Sequence, residues 1–91
     1  EMGSLVMDGR RFNFAVRVDS RVDHAAIAKS SNIFILYVQV AAHPSPYEVA
    51  IPVTSGGKGN LVVGKRGVFR DVENRTWDAK VVEIIDKYYV A

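Results

Sequence analysis

Apolar positions recur at every second residue in two stretches of this chain. Phe12, Phe14, Val16 and Val18 share one face of an extended segment, with Arg11, Asn13, Ala15 and Arg17 on the other. Tyr47, Val49, Ile51 and Val53 do the same opposite Glu48 and Ala50, with Pro52 placing the strand's end at an edge or just beyond its ladder. Side chains on a strand alternate between its faces, so both patterns predict half-buried strands. Between them lies a run that does not alternate. Seven of the eight residues from Ile33 to Val40 are apolar or aromatic, with only Gln39 intervening. Rich in β-branched and aromatic types, this run predicts a central strand covered on both faces, by its own chain or by a second copy.

The connections support the same reading. Leu5-Val6-Met7 followed by Asp8-Gly9 is a hairpin signal, because Asp and Gly tolerate the positive φ of a tight turn. His43-Pro44-Ser45-Pro46 removes two backbone donors and predicts a turn too short for a parallel crossover, hence antiparallel neighbours. After the glycine-containing linker 54–60, Leu61-Val62-Val63 reads as a strand, Gly64-Lys65-Arg66-Gly67 as a tight turn and Val68-Phe69 as its return. Another turn falls at Glu73-Asn74-Arg75. Beyond it, Trp77, Val81, Ile84, Ile85 and Tyr88 have helical spacing, but four β-branched residues within 81–85 favour a strand. One short helix is expected over 21–29, with Ser20 and Asp23 as a weak cap and Val22, Ala26 and Ile27 facing the sheet. The predicted fold is mainly β: a small antiparallel β-barrel or β-sandwich of about six strands with one short helix, in a single domain over residues 1–91.

Composition narrows the classes. A chain of 91 residues that is 48% hydrophobic and 24% charged can bury one small core, near the size at which oligomerisation often completes burial. The absence of cysteine excludes disulfides and thiolate chemistry. No run approaches the roughly 18 apolar residues of a membrane span, and no secretory signal opens the sequence. The expected setting is therefore cytoplasmic, without a membrane partner. The abrupt apolar ending Tyr88-Tyr89-Val90-Ala91 is what a cut within a longer protein leaves. A net charge of +2 does not by itself call for nucleic acid, but from Thr54 to Arg70 every charged residue is basic.

Candidate chemistry is sparse. His24 and Asp23 are adjacent and point apart on a helix, His43 stands beside a proline, and no third ligand is spaced for a metal, so neither metal nor cofactor is expected. Gly56-Gly57-Lys58-Gly59-Asn60 lacks the GxxxxGK[ST] spacing of a nucleotide loop, which excludes that chemistry and leaves at most an anion-binding nest. Lys58, Lys65, Arg66, Phe69, Arg70, Arg75 and Trp77 interleave cations with rings, the make-up of a single-stranded nucleic-acid platform. Ile33, Phe34, Ile35, Leu36, Tyr37 and Val38, with Tyr88 and Tyr89, are the candidate contacts between copies. No stretch carries the motif of a known family. The leading expectation is a non-catalytic binding or assembly module, homo-oligomeric. The alternatives are a single-stranded nucleic-acid-binding barrel using residues 58–77, and an enzyme drawing on Asp19, His24, His43 and arginines at a subunit interface.

Overall fold

In the computed structural model, which describes residues 2–18, 33–52 and 59–86, Asp8 and Gly9 adopt φ of 54° and 75°. Two successive positive φ values match the right-handed twist of flanking strands, and the chain reverses here from β1 (Met2–Met7) into β2 (Arg10–Arg17). The proline-punctuated turn joins β3 (Ile33–Val40) to an antiparallel β4 (Tyr47–Pro52). A third hairpin joins β5 (Arg66–Asp71) to β6 (Thr76–Asp86), which settles the ambiguous segment after Trp77 as strand. The six strands close into an antiparallel barrel in the order β1-β2-β4-β3-β6-β5. The helix expected over 21–29 lies outside the described residues.

The interior is filled from all six strands. Leu5, Met7, Ala15, Phe34, Leu36, Val38, Val40, Tyr47, Val49, Ile51, Phe69, Ala79 and Val81 are buried there, joined by Leu61 from the connection before β5. β3 is covered on both faces within one chain. Its remaining pair, Ile35 and Tyr37, points away from the interior yet is buried beside Val18, Ile33 and Ile85. Each fully buried aliphatic or Phe side chain contributes roughly 1.5–3 kcal/mol from apolar burial.

Closure between β1 and β5 depends on two glycines. A Cβ at Gly3 would overlap the Phe69 ring and the Arg70 carbonyl oxygen, and one at Gly67 would overlap the Val6 carbonyl oxygen and crowd Met7. Bare backbone at both positions lets the two strands approach over bulky inward side chains.

Two expectations are corrected. Phe14 and Val16 do not share the core face with Phe12. Gly3 pairs with Ala15 and Leu5 with Phe12, so Asn13 and Phe14 together oppose Ser4. This β-bulge turns the alternation over, sending Ala15 inward and Phe14 and Val16 outward. Leu61-Val62-Val63 is not a strand. A turn there is closed by Lys65 N–H donating to the Val62 carbonyl (3.0 Å), and Gly67, expected in the turn, lies within β5.

Candidate binding face

At one end of the barrel, the β5–β6 hairpin winds around a single carboxylate. Asp71 Oδ1 accepts the Glu73 and Arg75 backbone N–H groups, each at 2.9 Å. Its Oδ2 accepts Arg75 Nε–H and Trp77 Nε1–H, each at 3.0 Å. Four donors on one buried carboxylate favour its charged form. The Trp77 indole N–H is the largest cause, burial opposes it, and the Arg75 amide and guanidinium add to it; together they lower the Asp71 pKa to about 2. The Arg75 guanidinium carbon lies 5.7 Å from the Trp77 ring centroid, and its Nη2 pairs with Glu73 at 3.3 Å. Across the same end, His43 meets the rings of Trp77, Tyr47 and Phe69 edge-on at 5.0, 5.5 and 6.2 Å. Its Nδ1 is 2.7 Å from the Ala41 carbonyl oxygen, which only accepts, so Nδ1 carries the hydrogen.

The interleaved basic and aromatic residues of the sequence therefore separate in space. Phe69 is fully buried inside the barrel, where no base can stack on it, and Trp77 is half-buried and held by Asp71. Arg75 belongs to that same cluster. Lys65 lies at the opposite end, paired with Asp8 at 3.2 Å. Arg66 and Arg70 are exposed on the outer wall of β5, and Lys58 lies outside the described residues. Of the expected contacts between copies, Phe34, Ile35, Leu36, Tyr37 and Val38 are buried and Ile33 half-buried within the single chain, while Tyr88 and Tyr89 lie outside the described residues. Asp19 and His24 are also outside, so the enzyme alternative retains His43 and the arginines. No group of three or more His, Asp or Glu poised to hold a metal occurs among the described residues.

The surface that sequence reasoning missed is the outer face of β5–β1–β2. Phe14 is 72% exposed there, and Met2, Val6, Val16 and Val68 are between 38% and 46% exposed. The register makes these positions continuous: Val68 pairs with Val6, and Met2 with Val16, while Phe14 lies level with Ser4, whose other neighbour is Arg70. Arg11, beside Val6, and Arg66 and Arg70 on β5 frame the apolar centre, and none of the three makes an ion pair among the described residues. β1 and β2 contain no acidic residue, and the single carboxylate of β5, Asp71, is turned inward. An exposed ring on a strand was concealed because unbroken alternation placed Phe14 with Phe12. A continuous apolar patch with a charged frame is a surface suited to docking.

A wide shallow depression of ≈ 430 Å³ lies farther round the barrel, lined by Gln39, Ala41, Arg66, Asp78, Ala79, Lys80 and Val82. Among the described residues no helix is long and apolar enough to cross a membrane. Comparison with known proteins finds no family model, curated protein or solved structure that matches this chain.

Proposed function

We propose that this barrel is a small non-catalytic binding and assembly module whose working surface is the outer face of β5–β1–β2, and that a second copy occupies this face in the purified protein. The carrying observation is the continuous apolar strip of Met2, Val6, Phe14, Val16 and Val68. In the closed barrel every described strand is paired on both sides over part of its length, which favours assembly through side-chain faces over strand addition. A two-fold axis along β1 lays β2 of each copy over β5 of the other. Phe14 of one copy then meets the level of Arg70 in the other, and a guanidinium over an exposed ring contributes about 0.5–1 kcal/mol. The burial of β3 within one chain moves the expected interface away from Ile33–Val38 to this face.

Light scattering at micromolar concentration is expected to give a mass above the 10.1 kDa of one chain. Replacing Phe14 and Val68 together by serine should return the mass to one chain with the circular dichroism of the barrel unchanged. A wild-type protein that runs as a monomer ends the reading.

A second reading, binding of single-stranded nucleic acid, gains one specific observation: the exposed Phe14 ring shares a face with Arg11 on its own strand and with Arg70 on β5, across β1. Stacking on one ring with cations on the backbone is the minimum such a platform needs. Four aliphatic neighbours favour a protein surface over bases. Fluorescence anisotropy with mixed-sequence oligonucleotides at about 0.15 M salt should therefore show no submicromolar binding. Tight binding abolished by Arg11→Gln and Arg70→Gln would put nucleic acid first.

A further inference from the structure

Arg66 on β5 and Lys80 on β6 are direct partners in the antiparallel ladder. Like charges placed opposite one another across a ladder oppose its stability, and proteins commonly relieve such pairs with a carboxylate. No such relief is present here. Among the described residues neither side chain makes an ion pair or a hydrogen bond, whereas Lys65 next to Arg66 is engaged by Asp8 and Arg75 by Asp71 and Glu73. Asp78, two residues before Lys80 in the same strand, does not come within ion-pair distance of either cation.

The two cations also stand at a concavity rather than on a convex wall. They line the ≈ 430 Å³ depression over β5, β6 and β3, with the small Ala41 and Ala79 among its other residues. Val82, at its side, is the extra residue of a second bulge: Tyr37 pairs with Glu83 and Val38 with Val81, leaving Val82 unmatched. Bulges of this kind re-aim side chains beside functional sites. Gln39 is pinned in the same lining, its Nε2 donating to the His43 carbonyl at 2.7 Å and the Val40 carbonyl at 3.3 Å. What remains for a ligand is a guanidinium and an ammonium side by side, with one carboxylate at the rim.

We propose that this depression binds an oxyanion, a carboxylate or phosphate group, held between Arg66 and Lys80. Arginine offers two parallel N–H donors that match either group, and lysine adds a point charge. Asp78 weakens the site by repulsion and disfavours ligands of higher negative charge. Arg66 also borders the docking face on β5–β1–β2, whereas Lys80, Asp78 and Gln39 lie on β6 and β3 outside that face, so the Lys80 and Asp78 variants test this site apart from self-association.

The test is an amide NMR titration of the full chain with inorganic phosphate and, separately, with acetate. Saturable shifts confined to the amides around Gln39, Arg66, Asp78 and Lys80 are expected. Arg66→Gln and Lys80→Gln should each weaken binding about tenfold, and Asp78→Asn should tighten it severalfold. A purely structural role for these exposed residues would not give opposite signs to the two kinds of variant, and the same spectra report that each variant is folded. Saturation with acetate alone identifies a carboxylate ligand, and with phosphate alone a phosphate ligand; either supports the site. Shifts that stay linear in anion concentration, spread over all basic residues, or survive in Arg66→Gln overturn it.

Discussion

Asp71 shows how one side chain can define a hairpin. Its oxygens accept four donors from Glu73, Arg75 and Trp77, and its own backbone N–H and carbonyl bond Arg75 and Asn74, each at 3.0 Å. Because the folded pKa is about 2, below the ordinary carboxylate value of 3.8, the charged form is the one the fold favours. Its contribution to stability is therefore fully present above about pH 4 and is lost as pH falls toward 2. Asp71→Asn keeps the shape but gives up the charge, and replaces one acceptor oxygen by an NH₂ facing donors. We expect a melting temperature several degrees lower at pH 7, and a gap from wild type that narrows as pH is lowered from 4 to 2. Thermal melts across that range check it; a gap independent of pH would contradict the account. In the sequence the residue stands out only as the first acid after the basic stretch that ends at Arg70. Neither its burial nor its donors follow from spacing, because they depend on the hairpin turning its first residue inward.

At the scale of the elements, legibility followed the strength of local constraints. Asp8-Gly9 and Pro44-Ser45-Pro46 fix the chain by backbone geometry alone, and both turns are where the sequence places them. β3 declares itself by needing cover on both faces, and it has that cover. β2 misled because periodicity assumes that every residue advances the alternation by one face, and the bulge at Asn13–Phe14 breaks that rule without any Gly or Pro to mark it. The exposed apolar face on β5–β1–β2 was hidden for the same reason. Gly67 misled in the opposite way: beside Gly64 and two cations it resembled a turn residue, yet it serves close approach between β5 and β1. Gly67→Ala should therefore cost about 1–3 kcal/mol, the range for overpacking a filled interior. Gly9→Ala, with open space around its Cβ but a φ of 75°, should cost only about the 1–2 kcal/mol of a strained left-handed residue. Chemical denaturation of the two variants separates steric crowding from backbone strain: a hydrogen–deuterium exchange increase along β1 and β5 is expected in the first and not in the second.

For the whole molecule, the barrel places its charged groups on separate territories. Arg75 and Asp71 close one end, Lys65 and Asp8 the other, and Arg11, Arg66, Arg70 and Lys80 remain on the wall between. A stretch that is basic along the sequence is thus divided among a hairpin, a wall and an ion pair. This is why charge clustering in the chain gave a poor map of charge clustering in space. That the fold is a barrel and not a sandwich was likewise beyond local pattern, since about six antiparallel strands around one core satisfy both. The choice rests on whether β1 reaches β5, which two glycines permit.

That reach also has a history in time. β1 and β2 are neighbours along the chain, joined by one tight turn, but the second neighbour of β1 is the distant Arg66–Asp71. Until β5 joins, the outer hydrogen-bonding row of β1 has no partner within the barrel, and it is the edge through which an incompletely folded chain can pair with another extended segment. Joining the first strand to the fifth is a late, non-local event, of the kind that places β-rich domains in the millisecond-to-second range of folding times. In the finished barrel β5 occupies that row from Gly3 to Val6; before it arrives, β1 is the edge the fold has to protect.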